Sequence, residues 1–327
     1  MVKFFSTGYL SRYLFIFILG LILWIPSFLF PTYYTGISSF AFNQISLLTA
    51  QNTFLQTIAS FIITLITAFL LNKCAIDNGL SGKMSTLVAL VYLILTSSLV
   101  GDFHNNPVIW INFILVFVLS NIMRLPYVTN AIPVIFNAAF LIGVASLFYS
   151  PLVFMVLIMW MSVIIHRIVT WRNFVVSLVG VVLPYFILLT LFFTIGDLPE
   201  ESYTIFETLQ INTDILMITD PVEIVIAVIL LLMIIISSIG IANRIPEKNI
   251  NLRRNLIITF FYVALLLLVL FVFTKSLVLA LLLCIPSALL LGHWLGNIKR
   301  TRYYDLALYT VITLMVLNQY LYLIFSL

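Results

Sequence analysis

Apolar residues occur along this chain in long unbroken runs separated by short polar segments. Each run approaches the roughly 20 residues that an α-helix needs to cross a hydrocarbon core about 30 Å thick. The sequence does not alternate apolar and polar residues as a membrane-spanning barrel strand does. Since backbone polar groups in lipid need internal partners, the pattern predicts an all-α, polytopic transmembrane helix bundle.

The runs predict about eleven spans within one integral membrane domain, residues 1–327, that has no soluble domain. Composition agrees, with 63% apolar and 8% charged residues. Between the fifth and sixth spans, Tyr149, Ser150 and Pro151 form either a tight turn or a kink in one long helix. The approximate bounds are Arg12 to Phe30, Phe54 to Asn72, Ser85 to Val100, Val108 to Met123, Ala131 to Ser150, Pro151 to Ile168, Phe174 to Gly196, Pro221 to Asn243, Asn255 to Thr274, Ser276 to Leu295 and Leu306 to Phe325.

Charged residues are divided unequally between the two sides of this threading. With a cytoplasmic N-terminus, fourteen of the fifteen Lys and Arg residues fall inside, and eight of the eleven acidic residues fall outside. Short cytoplasmic loops of membrane proteins are enriched in Lys and Arg. The division favours a turn at Pro151, because one long helix there would place the later basic clusters opposite the earlier ones. It predicts a cytoplasmic N-terminus and an external C-terminus.

The basic pI near 9.0 does not indicate nucleic-acid binding. The cations are spread over short helix-flanking loops, whereas a nucleic-acid surface needs a basic stripe on a soluble face. We expect these cations to contact anionic membrane lipids. No glycine-rich phosphate loop and no Ser/His/Asp or Cys/His arrangement occurs, so no cofactor or metal can be named from the sequence.

Polar residues within the spans are few. No charged residue lies at mid-span, which disfavours ion-coupled transport. His166 and His293 lie near predicted inner span ends, where we expect them to reach water. Five mid-span amides are expected to form hydrogen bonds between helices: Asn112, Asn121, Asn137, Asn318 and Gln319. Four prolines interrupt spans and could free backbone carbonyls for a sodium-type site: Pro26, Pro133, Pro184 and Pro286.

The second predicted outer loop places Asp102 and His104 two residues apart in a short turn. A carboxylate and an imidazole at this spacing can bind a divalent cation, or act as a base and its orienting group. The alternative is structural: Asn106 caps a helix that begins at Pro107, and the two side chains are solvated.

A longer outer loop carries Glu200 and Glu201 within an acidic cluster. If it approaches Asp102, the carboxylates could support metal-assisted glycosyl or phosphoryl transfer to or from a lipid-borne substrate. The alternative is an outer loop that is acidic because basic residues are retained inside.

On the predicted inner side, His166, Arg167, Trp171 and Arg172 form the tightest cationic and aromatic cluster. Arg167, Trp171 and Arg172 are candidates to bind a lipid phosphate, because Arg donates two parallel hydrogen bonds to phosphate oxygens. The alternative is anchoring by inner-side cations and an interfacial tryptophan.

The middle third of the chain resembles an uncharacterised family of polytopic inner-membrane proteins of Bacteroidota-type bacteria. This resemblance implies a multi-pass protein of the bacterial inner membrane and carries no activity with it. The residues that carry it are Phe136, Asn137, Ala138, Gly143, Ser146, Leu147, Tyr149, Arg167, Trp171, Arg172, Gly180, Pro184 and Tyr185.

A looser likeness is to membrane glycosyltransferases that use polyprenyl-phosphate sugars. Those enzymes have many helices, an inside N-terminus and catalytic acids on outer loops, and Asp102 falls in the second outer loop here. They usually carry an acid in the first outer loop as well, whereas residues 31–53 contain none.

Three hypotheses follow. The chain is a transferase acting at the outer face on a lipid-linked envelope precursor, with Asp102, His104, Glu200 and Glu201 as catalytic candidates. Alternatively it is a non-catalytic membrane subunit of an envelope assembly or secretion complex, with other membrane proteins as partners. The third hypothesis is a carrier for a lipid or small apolar solute.

Overall fold

The computed structural model describes residues 10–29, 52–97, 106–195, 221–245, 248–273 and 277–298, together with isolated positions near both ends of the chain. Every regular element in these ranges is helical. Among the described residues, six helices are long and apolar enough to cross a membrane, and three further apolar helical segments are shorter. The predicted all-α membrane class is therefore confirmed. The last predicted span lies mostly outside the described residues.

Ten α-helices and two long 3-10 segments make up the described bundle. The 3-10 segments are Ser150–Met155, which leads directly into α6, and Leu277–Leu283, which leads directly into α10. The helices are α1 (Leu10–Leu29), α2 (Thr53–Asp77), α3 (Leu87–Thr96), α4 (Pro107–Arg124), α5 (Ile132–Phe148), α6 (Val156–Ile165), α7 (Trp171–Ile195), α8 (Pro221–Ala242), α9 (Ile250–Phe273) and α10 (Cys284–Gly296).

Consecutive helices alternate in direction, so their ends form two opposite layers. Near one layer, the end of α2 contacts the end of α4 through the sulfur atoms of Cys74 and Met123, 3.9 Å apart. In the same layer the His293 ring at the end of α10 contacts the Leu80 carbonyl just after α2. We call this layer the basic end, because it carries the ten Lys and Arg residues that the structure describes: Arg12, Lys73, Lys83, Arg124, Arg167, Arg172, Arg244, Lys248, Arg253 and Arg254.

α3 lies at the centre of the bundle. All ten of its residues, Leu87 to Thr96, are buried. It packs against α2 and α10, and Gly292 permits close approach, since a Cβ there would lie 2.5 Å from Val88 Cγ2. A helix of ten residues covers only about 15 Å, and here neighbouring helices rather than lipid surround it.

The chain reverses direction at Tyr149, so the turn predicted there is confirmed. Tyr149 has an extended backbone, with φ −151° and ψ 103°, between α5 and the 3-10 segment. α5 and α7 run parallel, because Gly143 meets Val181 while Ser146, further along α5, meets Tyr185 further along α7. Parallel helices need an intervening crossing in the opposite direction, and α6 with its 3-10 segment provides it.

Small residues allow α5 and α7 to pack closely. A Cβ on Gly143 would lie 2.5 Å from the Val181 carbonyl oxygen and 2.9 Å from Pro184 Cγ. A Cβ on Gly180 would lie 2.8 Å from Ala139 Cβ. Small residues at a helix interface let backbones approach in lipid, where no hydrophobic force drives helices together. The contact is the most extensive between any two described helices.

Prolines explain the helix type at two positions. Pro286 lies in the first turn of α10, and its ring is incompatible with continuing the α-helix back through Leu282. The preceding residues adopt the 3-10 form instead. Pro133 lies in the first turn of α5, whereas Pro26 and Pro184 lie inside α1 and α7. Pro26, Pro184 and Pro286 therefore lie within spans, as expected, whereas Pro133 lies at the start of one.

The mid-span amides behave differently from one another. Asn112 donates to the Leu281 carbonyl in another helical segment at 3.0 Å, which confirms the predicted interhelical hydrogen bond. Asn121 donates to Phe117 of its own helix at 3.0 Å, so that prediction was wrong. Asn137 is exposed. Asn318 and Gln319 lie outside the described residues.

Candidate functional site

The four residues proposed from the sequence as catalytic, Asp102, His104, Glu200 and Glu201, lie outside the described residues. For Asp102 and His104 the structural alternative was a turn that leads to a helix capped by Asn106, and the structure describes that cap. The Asn106 side chain accepts hydrogen bonds from the backbone N–H groups of Val108 and Ile109, and Pro107 begins α4. Asn106 thus caps this helix as predicted.

The proposed phosphate ligand Arg167 lies in the turn after α6. Its N–H donates to the Ile164 carbonyl at 3.0 Å, and the N–H of Ile168 donates to Val163 at 3.1 Å. These two bonds define a Schellman motif, in which the residue after the cap adopts a left-handed backbone. Arg167 has φ +60° and is the one non-glycine residue with positive φ in the described chain.

The turn after α2 has the same motif with a different residue. Gly79 has φ +70°, its N–H donates to Ile76, and the N–H of Leu80 donates to Ala75. Glycine adopts this backbone freely, whereas an L-residue with a Cβ pays about 1–2 kcal/mol. Arg167 therefore occupies a position where glycine would be more stable.

Side-chain hydrogen bonds hold the turn that presents Arg167. The buried Asn173 amide donates to the Ile168 carbonyl at 2.6 Å, and the Trp160 indole donates to Ser177 Oγ at 2.8 Å. Arg167 and Arg172 are exposed, and Trp171 is 72% exposed at the start of α7. The three predicted lipid-phosphate residues are thus all exposed, with Arg167 in the turn and Trp171 and Arg172 in the first turn of α7.

His166 lies beneath this turn and is only 6% exposed, so the expectation that it reaches water was wrong. Neither of its ring nitrogens has a hydrogen-bond partner in the described part of the chain. Burial of the ring and the positive charge of Arg254 lower the pKa of His166 from 6.5 to about 4. The imidazole is therefore neutral at physiological pH and offers one unused donor and one unused acceptor.

His293 lies at the end of α10 and is also buried, at 5% exposed, contrary to expectation. Its Nδ1 lies 2.6 Å from the Leu80 carbonyl oxygen. Because a carbonyl only accepts, Nδ1 carries the proton and Nε2 is the acceptor. Asn297 Nδ2 lies 3.4 Å from Nε2 and also donates to the His293 carbonyl at 2.7 Å. The tautomer of His293 is thereby fixed.

A shallow open cleft lies beside His293, between the basic ends of α8, α9 and α10, with a cavity volume of about 20 Å³. Sequence reasoning did not find it, because packing alone brings residues 240–256 against the end of α10. The local signal was Gly240, where a Cβ would collide with the Trp294 indole nitrogen. The lining residues are Gly240, Ile241, Arg244, Lys248, Leu256, His293, Trp294 and Asn297.

The residues that carry the resemblance to inner-membrane proteins of Bacteroidota-type bacteria fall mainly at the contact between α5 and α7. Tyr185 donates to Ser146 at 2.8 Å, and Gly143, Gly180 and Pro184 form the close approach described above. No protein-family model, curated protein or solved structure matches the chain. The arrangement therefore gives these residues a packing role, and the family assignment stays a prediction.

Proposed function

We propose that this chain is a multi-pass protein of the bacterial inner membrane that binds a phosphate-bearing lipid at its basic end, through Arg167, Trp171 and Arg172. The observation that carries the proposal is the arginine in the left-handed turn after α6. A side chain kept at a position that favours glycine points to a use for that side chain.

The chemistry of the turn suits a lipid phosphate. Two exposed guanidinium groups can donate paired hydrogen bonds to phosphate oxygens, and an exposed indole suits the head-group region. The two unused nitrogens of His166 lie below the same turn. The concentration of described cations at one end supports a cytoplasmic position for this end, with eleven spans, the N-terminus inside and the C-terminus outside.

The test is binding of a polyprenyl phosphate to the purified full chain, measured by native mass spectrometry against the uncharged polyprenol. The variant Arg167→Gly/Arg172→Gln removes both guanidinium groups and preserves the turn. We expect it to weaken phosphate-lipid binding about thirtyfold, from about 1 kcal/mol per cation. Arg124→Gln, at an exposed cation of the same end, is the matched control. Equal weakening in both variants would refute the site.

We further propose that the chain catalyses a separate glycosyltransferase-like reaction at the outer face, on a lipid-linked precursor in the outer leaflet, carried by Asp102, His104, Glu200 and Glu201. Its support is the acidic outer sequence alone. Transfer from a polyprenyl-phosphate sugar should be lost in Asp102→Ala and in Glu201→Ala. Full activity in both variants would contradict this proposal and leave two alternatives. A non-catalytic subunit should keep a stable protein partner after mild solubilisation. A carrier should move lipid in proteoliposomes.

A further inference from the structure

The cleft beside His293 is a second, separate feature of the basic end. Its floor is buried and comprises His293, Ile241 and Leu256. Its rim carries Arg244, Lys248 and Asn297, which are exposed or partly exposed. The first turns of α9 line one side of this cleft through Leu256. Arg254, in the same turns of α9, is the residue whose positive charge lowers the pKa of His166. The two sites therefore flank the start of α9.

Among the residues that the structure describes, the charge of the cleft is positive and has no acidic counterpart. Two cations and no carboxylate occur among its lining residues. Arg244 Nη1 makes one long hydrogen bond, 3.4 Å, to the Asn297 carbonyl, and the Lys248 side chain has no ion pair in the part of the chain that the structure describes. Arg244 alone could be a cap on the end of α10, but a cap does not explain Lys248 or the cleft between them.

Because the tautomer of His293 is fixed, its ring has no N–H left to donate to a ligand in the cleft. Nδ1–H is committed to Leu80, and Nε2 presents a lone pair toward Asn297. The donors left for a ligand are the guanidinium group of Arg244 and the ammonium group of Lys248. Two cationic donors at a rim above an apolar floor favour an anion with several acceptor oxygens, and a phosphate ester meets that need.

The surroundings favour a lipid as the source of the phosphate. Ile235, Ile236 and Ile239 of α8 are exposed in the turn before Gly240, so an apolar surface runs from the rim into the predicted membrane region. We propose that the cleft binds the phosphate of an anionic phospholipid, with Arg244 and Lys248 on the phosphate and the acyl chain along α8.

The experiment is titration of the full chain, delipidated in detergent, with phosphatidylglycerol and, in a parallel arm, with soluble glycerol phosphate. Native mass spectrometry counts the bound molecules. The variant is Arg244→Gln/Lys248→Gln, and the matched control is Lys83→Gln/Arg124→Gln, which removes two cations of the same end outside the cleft. We expect the first variant to bind phosphatidylglycerol about thirtyfold more weakly and the control to bind it nearly as well as the parent chain.

Equal losses in both variants would overturn the proposal, since binding would then depend on overall charge. Tight binding of glycerol phosphate that also depends on Arg244 and Lys248 would overturn the lipid source. Size-exclusion profiles and thermal midpoints show that each variant is folded. Arg167→Gly/Arg172→Gln should keep its phosphatidylglycerol binding in the cleft, so this site and the polyprenyl-phosphate site can fail independently.

Discussion

His166 and His293 occupy matching places and have opposite surroundings. Each lies at the basic end, sixteen residues after the first residue of the 3-10 segment that begins its span. Both are buried. The His293 ring nitrogens face Leu80 and Asn297, whereas those of His166 have no partner among the described residues. Burial of a histidine alone therefore does not show what it contributes, and the partners of its two nitrogens decide whether it stabilises the fold.

The largest expected difference between the surroundings of His166 and His293 is in the free energy of unfolding after the same substitution at each histidine. His293→Leu removes a short hydrogen bond and leaves the Leu80 carbonyl unpaired, so it should lower the free energy of unfolding by about 3 kcal/mol. His166→Leu removes no hydrogen bond and should leave that free energy unchanged or raise it. Unfolding by SDS in mixed micelles measures both. Equal effects would contradict the comparison.

The second largest effect is the dependence of the free energy of unfolding on pH, to which His166 contributes. The pKa of His166 is about 4 in the folded chain against 6.5 when unfolded, so between these values the unfolded chain binds more protons. The free energy of unfolding should then fall by about 2 kcal/mol as the pH drops from 7 to 5. It should be nearly constant above about pH 7. The measurement is the pH profile of the parent chain minus that of His166→Leu, which removes the titration of the other histidines. A difference of zero would mean that the ring is accessible to water.

The smallest expected effect concerns the two left-handed turns near these histidines, at Arg167 and at Gly79. Arg167→Gly should raise the free energy of unfolding by about 1 kcal/mol, because glycine adopts the left-handed backbone without strain. Gly79→Ala places a Cβ in the same motif after α2 and should lower it by about 1 kcal/mol. Nothing lies within 4 Å of a Cβ at Gly79, so the effect reports backbone conformation. Arg167→Gly becoming less stable would show that the guanidinium has a structural role.

The fold was largely predictable because apolar length and cation position depend on local sequence. The turn at Tyr149 followed from charge, and the Asn106 cap from the residue before Pro107. Helix bounds were less accurate: α2 continues to Asp77 and α9 begins at Ile250, since cationic side chains at span ends extend toward water while their backbone stays helical.

The candidate sites were predictable only where they are continuous in sequence. Arg167, Trp171 and Arg172 lie within six residues, and the sequence grouped them. The cleft needs Arg244 and Lys248, in the connection between α8 and α9, together with His293 of α10, and packing alone brings these two regions together. Left-handed backbone at Arg167 was also beyond sequence reasoning, since glycine or asparagine is the residue that normally marks such a turn.

The two 3-10 segments also set the hydrophobic height of the molecule. A 3-10 helix rises about 2.0 Å per residue against about 1.5 Å for an α-helix. The six residues from Ser150 and the ten of α6 therefore reach roughly 27 Å, where a plain α-helix would reach roughly 24 Å. Stretching thus reduces hydrophobic mismatch in the shortest lipid-facing span among the described residues. In bilayers of longer acyl chains, this span should be the first to force local thinning of the bilayer. Acyl-chain length should therefore affect the stability of the α5–α6–α7 unit before that of the longer helices.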